Sequence, residues 1–126
     1  MTYNEAYNKI INAYFKDEIV PLDGNFCFCG TLCDNTSDWL GLFHNYPSHG
    51  YTGRDFDRME EALFNGIRVT AKVDSVNVLS RRAGIYEDAL FAGMCAALEV
   101  LKQIHEQRGE KIDETPAFTK RQLQPA

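Results

Sequence analysis

The chain has 126 residues, 44% of them hydrophobic and 25% charged, which is the size and composition of one globular domain with a core of its own. A formal charge of −5, from 18 acidic against 13 basic side chains, sets a field that opposes duplex nucleic acid and favours solubility. No run approaches the roughly 18 uninterrupted apolar residues of a membrane span, and Met1-Thr2-Tyr3-Asn4-Glu5 lacks the features of a secretory signal, so a cytoplasmic protein is expected, with no membrane partner.

Thr2 and Glu5 stand at the spacing of a capping box, and Tyr3, Tyr7, Ile10, Ile11 and Tyr14 recur at helical intervals, which predicts an N-terminal helix through about Asp17. Pro21 and the turn Leu22-Asp23-Gly24-Asn25 then lead into an expected strand from Phe26 to Cys33, with Phe26, Phe28 and Leu32 on one face. Asp34 to Gly53 is irregular, rich in glycine, polar residues and aromatic rings, as working loops are. A short middle helix is expected to start between Thr52 and Asp55, bury Phe56, Met59, Leu63 and Ile67, and stop at Gly66.

Val69, Ala71 and Val73 alternate with polar residues, and Val76 and Val78 follow across Asp74-Ser75, so a hairpin is the preferred reading. A long helix from about Tyr86 to Arg108, stopped by Gly109, is the strongest periodic signal, and its apolar circumference suits an element lying across a sheet. The expected architecture is therefore α+β: an N-terminal helix, a small antiparallel sheet, a short middle helix and a long C-terminal helix packed on the sheet. Residues 1–109 form the domain and 110–126 an arm or tail, with Ile112, Phe118 and Leu123 as its apolar anchors.

Cys27, Cys29 and Cys33, with His44, His49 or Cys95, have the chemistry of zinc ligands. Side chains on one face of a strand stand about 6.5 Å apart, however, too far for sulfurs around one ion. Reduced, buried thiols are the preferred account, and no metal or cofactor is expected. A cysteine nucleophile would need a histidine brought alongside by the fold. His105 reads as a charge complement at a helix end, and the pairs Glu60-Glu61 and Glu87-Asp88 as solubilising faces.

Two features suggest a ligand. Thr52, Arg54 and Arg58 follow a glycine-containing turn at a helix start, where free N–H groups, a hydroxyl and guanidinium groups gather around anions. Arg81 and Arg82 precede the long helix, and Trp39 and Tyr51, with Phe43 and Tyr46 nearby, offer rings for stacking on a base. Separately, Ala89, Gly93 and Ala97 make a small-residue stripe that admits another backbone and is a candidate face for homo-oligomers.

The stretches Tyr3-Asn4-Glu5-Ala6-Tyr7-Asn8-Lys9-Ile10-Ile11, Tyr86-Glu87-Asp88-Ala89-Leu90-Phe91 and Phe118-Thr119-Lys120-Arg121-Gln122-Leu123 resemble small uncharacterised accessory proteins of gut bacteriophages. The resemblance implies a non-enzymatic helper, and one class of such helpers sequesters the nucleotide signals of bacterial immunity, an anti-defence role. The leading expectation is a homo-oligomeric, non-enzymatic module that binds a small phosphorylated ligand or nucleotide. In it Arg54, Arg58, Arg81 and Arg82 meet phosphates, Thr52 lends its hydroxyl, and Trp39 or Tyr51 stacks. The alternative is a protein-interaction or structural accessory protein that docks a partner through the small-residue face and the C-terminal arm.

Overall fold

The structure, a computed structural model, describes residues 1–41, 50–79, 83–113 and 117–122. Among these residues there is no sheet, and the expected α+β architecture is corrected to a helical one. Four α-helices, α1 (Tyr3–Phe15), α2 (Phe28–Leu32), α3 (Gly53–Ala71) and α4 (Ala83–Gln107), are joined by segments that include 3-10 turns at Asp38–Gly41 and Val76–Val78. No helix among the described residues is long and apolar enough to cross a membrane.

Helix α1 starts as the sequence predicts. Thr2 Oγ1 accepts from the Glu5 amide at 3.2 Å while Glu5 Oε1 accepts from the Thr2 amide at 3.0 Å, so two otherwise unpaired donors are satisfied. Its buried face is Tyr3, Ala6, Ile10, Ala13 and Tyr14.

The expected strand at Phe26–Cys33 is a turn followed by the single-turn helix α2. Cys27 caps it by accepting the Gly30 amide at its sulfur, 3.4 Å away, and the Cys27 amide closes a turn onto the Asp23 carbonyl at 2.7 Å. Phe28 and Leu32, four residues apart, share a face on a helix as well as on a strand, so alternation over so short a run does not separate the two.

The expected hairpin at Val69–Val78 is also corrected. Helix α3 runs through Gly66 to Ala71, since Ile67 continues the buried stripe of Phe56, Met59 and Leu63. Val69 stands 68% exposed, so burial of the face opposite overrides its strand preference. Lys72, at φ 58°, ends the helix, and Ser75 caps the 3-10 turn that leads back toward α4.

Helices α3 and α4 form an antiparallel pair, in which Arg58 reaches Gln103 and Gly66 meets Gly93. A methyl group on Gly66 would stand 2.7 Å from the Gly93 Cα, and one on Gly93 would stand 2.6 Å from the Leu63 carbonyl oxygen. Gly66 is thus a contact, not a stop: two glycines bring the helix backbones together where any larger residue would hold them apart. Helix α1 lies antiparallel to α4 on another side, with Tyr3 beside His105 and Tyr14 beside Glu87. Because α4 touches both neighbours, apolar residues wrap much of it, including Leu90, Met94, Ala97, Leu98, Leu101 and Ile104.

The tail is docked. Ile112 and Phe118 pack against the core, and Arg121 is buried between α1 and α4. Leu123 lies outside the described residues.

Candidate functional site

The sequence-predicted site residues are distributed over the fold. Trp39 is buried, with its ring 5.6 Å from Phe56 and its Nε1 donating to the Gly24 carbonyl at 2.9 Å, and Tyr51 is fully buried. Both rings serve the core. Thr52 caps α3: its hydroxyl accepts the Asp55 amide at 3.0 Å, and the Asp55 carboxylate accepts the Thr52 amide at 2.9 Å. A carboxylate thus occupies the place that a phosphate would need.

Arg54 is exposed on the first turn of α3. Arg58 donates to Gln103 Oε1 at 3.3 Å and shares a polar groove of the α3–α4 face with Glu61, Asn65 and Arg68. Arg81 and Arg82 lie outside the described residues. Among the described members of the set, Trp39 and Tyr51 are buried, Arg54 is exposed and Arg58 is bonded to Gln103. The small-residue stripe is also engaged within the chain, since Gly93 is covered by α3.

The polar chemistry that the fold assembles centres on His105, which the sequence predicts only as a charge complement at a helix end. His105 is fully buried, because it continues the stripe of Leu98 and Leu101 at helical spacing, a signal present in the sequence. Tyr51 Oη lies 2.7 Å from His105 Nε2, and His105 Nδ1 lies 2.7 Å from Glu110 Oε2. Glu110 Oε1 in turn accepts the Tyr3 amide at 2.8 Å. A neutral imidazole fits both sides of this chain, accepting from the tyrosine and donating to the carboxylate. Burial pulls the His105 pKa down against the raising effect of Glu110, while the Tyr3 amide holds Glu110 below the usual carboxylate range. The Arg108 guanidinium lies over the Tyr51 ring, 4.6 Å from its centre. Tyrosine, histidine and carboxylate in series have the composition of a nucleophile with its base, but here the hydroxyl and the imidazole are sealed in the core.

The thiols are sealed likewise. Cys27, Cys29 and Cys33 are buried, and burial pushes Cys27 up to about 12 and Cys29 well above the ordinary thiol value. Cys27 and Cys29 therefore remain protonated at neutral pH, in the form that is neither nucleophile nor ligand. The Glu60 carboxyl lies against Cys27 and Cys29, and burial raises its pKa although both thiols counter that rise. Among the described residues no group of three or more His, Cys, Asp or Glu side chains is arranged to hold a metal ion.

Glu87 does not form a solubilising face. It is buried, accepting from Tyr14 Oη at 2.8 Å and pairing with Arg121 at 2.6 Å.

Besides the polar groove at Arg58, the fold leaves an apolar hollow open. Val20, Pro21 and Leu22, after α1, face Val76, Asn77 and Leu79 of the α3–α4 connection and Tyr86 of α4 across a hollow. Leu22 is 58% exposed; Val78 and Ile85, each next in the chain to a lining residue, are 70% and 54% exposed. Pro21 orders the approach to this end of the bundle, and the 3-10 turn sets Val76 inward and Val78 outward. No protein-family model, curated protein or solved structure matches this chain.

Proposed function

We propose that the chain is a non-enzymatic protein-docking module that holds a partner through the apolar hollow between residues 20–22, the Val76–Leu79 turn and the first turns of α4. The observation that carries the reading is the exposure of Leu22, Val78 and Ile85 around that hollow, since apolar surface gathered at one place on a soluble domain marks a contact site. The burial of the Tyr51–His105–Glu110 chain and of the three thiols supports a role in binding rather than turnover. The test is a photo-reactive residue at Val78 in cells that carry the chain, with exposed Glu99 as the control position. One predominant heavier adduct from position 78, absent from position 99, is expected; no adduct, or the same ladder from both positions, contradicts the reading.

A second reading, capture of a small phosphorylated ligand or nucleotide signal, is favoured by one observation: Arg58 and Arg68 flank Asn65 in the polar groove on the α3–α4 face. Glu61 in the same groove weighs against it. A panel of cyclic and ADP-ribose nucleotides that raises Tm in the wild type, but not in an Arg58→Ala/Arg68→Ala chain, would put this reading first. A panel without effect removes it.

A further inference from the structure

Residues 117–122 return along the seam between α1 and α4, and the seam meets them with a specific set of groups. The Phe118 ring stacks on Phe91, centres 5.1 Å apart and planes 21° apart, and lies 5.0 Å from the Tyr14 ring. Three positions on, Arg121 is 9% exposed. Its Nη2 donates to Glu87 Oε2 at 2.6 Å, and its Nη1 to the Tyr14 carbonyl at 2.9 Å and to Asp17 at 3.0 Å. The Arg121 amide donates to Tyr14 Oη at 3.1 Å, the same hydroxyl that donates to the other oxygen of Glu87. Between them, Lys120 pairs with Asp88 at 2.6 Å.

We infer that the α1–α4 seam is a peptide-recognition groove for a segment carrying an aromatic residue followed three positions later by arginine, held in this chain by its own C-terminal strap. These receiving groups all belong to α1, α4 or Asp17 just after α1, so they recognise the side chains of the strap and not its covalent continuity with α4. The two subsites differ in chemistry: Phe91 and Tyr14 present ring faces, whereas Glu87, the Tyr14 carbonyl and Asp17 present acceptors spread around a planar guanidinium. A lysine, with one compact ammonium, cannot reach all of them at once. Asp17, Glu87 and Asp88 give this end of the groove a negative potential that favours a basic partner segment.

The fit in cis is incomplete, because Arg121 Nε is buried with no acceptor. A partner segment able to satisfy that donor competes on better terms. The strap itself acts at an effective concentration on the order of millimolar, as short tethers do, so it gates entry and admits only a segment that binds more tightly or is presented locally. The partner is accordingly a protein displaying a basic, aromatic-containing segment of this kind.

The experiment uses the full chain with Phe118→Ala and Arg121→Ala, which empties the strap and leaves the groove intact. The probe is a labelled peptide of residues 117–122, Ala-Phe-Thr-Lys-Arg-Gln, with blocked ends, followed by fluorescence anisotropy. Saturable binding is expected, at least tenfold tighter than to the wild-type chain, weakened at least tenfold by Glu87→Gln in the same background and lost with a Phe118→Ala peptide. A folded strap variant that ignores the peptide at millimolar concentration, or binds the Phe118→Ala peptide equally well, overturns the inference. Should the strap variant lose its helicity, Phe118→Ala alone replaces it; if that too unfolds, added peptide must restore the helical signal, and failure to do so is equally fatal.

Discussion

At the scale of single residues, the chain turns its titratable chemistry inward, and pH is the handle on it. His105 is neutral in the folded state because burial depresses its pKa from 6.5, whereas the unfolded chain protonates it near that value. The unfolded state then binds more protons at mildly acidic pH, so the stability that His105 contributes is complete above its unfolded pKa and is lost as pH falls through its folded value. Between about pH 7 and pH 5 the Tm of the wild type is expected to fall further than that of His105→Gln. Equal slopes would show that the Tyr51–His105–Glu110 chain has no such linkage.

Glu60 has the opposite sign. Its raised pKa means that the folded state holds a proton more tightly than the unfolded state, so the wild type loses stability as pH rises past the ordinary carboxylate range. Glu60 Oε1 is also buried without a hydrogen-bond partner. Glu60→Gln, which keeps the shape and removes the charge, is expected to raise Tm at neutral pH, by an amount that shrinks toward zero near pH 4. A lower Tm at neutral pH would show that the charge is needed.

At the scale of elements, the crossing of α3 and α4 rests on two glycines. Alanine at position 93 would gain about 1 kcal/mol of helix propensity, yet its Cβ would meet the Leu63 carbonyl at 2.6 Å. Backbone is the obstacle, and overpacking of this kind typically costs about 1–3 kcal/mol. Gly93→Ala is therefore expected to lower stability in denaturant unfolding, and an unchanged or higher midpoint would mean that the helices separate without penalty.

The same elements show how far the sequence could be read. The Thr2 and Glu5 capping box, the Thr52 helix start and the long apolar periodicity of α4 are local signals, and the structure holds each of them close to where the pattern puts it. The strand and the hairpin failed because their evidence was alternation over few residues. Phe28 and Leu32 satisfy both periods, and Val69, a residue of β preference, falls in a segment that α3 claims by extending its buried stripe through Ile67. Gly66 carries the sequence signature of a helix stop, and only its partner Gly93, far along the chain, reveals it as a contact. The burial of Glu87 was illegible for a similar reason, since its partner Arg121 comes from a tail with little periodicity of its own. His105 was legible and was missed: it lies four residues after Leu101, on the buried stripe.

At the scale of the whole molecule, an acidic helical bundle encloses Cys27, Cys29 and Cys33, the Tyr51–His105 pair and the Trp39 ring, and keeps an apolar hollow at one end. Of the residues predicted to converge, the described rings Trp39 and Tyr51 are committed to the core, and Arg58 lies in a polar groove with Glu61, Asn65 and Arg68. That redistribution moves the weight of the functional argument from charge to apolar contact. It also separates function from the residues that hold the fold together, since Leu22 and Val78 are mostly exposed and their replacement costs little packing.

The most direct measurement is titration of the native chain with an apolar fluorescent probe, alongside a Leu22→Glu/Val78→Glu chain of matched Tm. The account predicts saturable binding of one probe per wild-type molecule and its loss in the double variant. A folded wild type that takes up no probe, or a double variant that takes up as much, would contradict it.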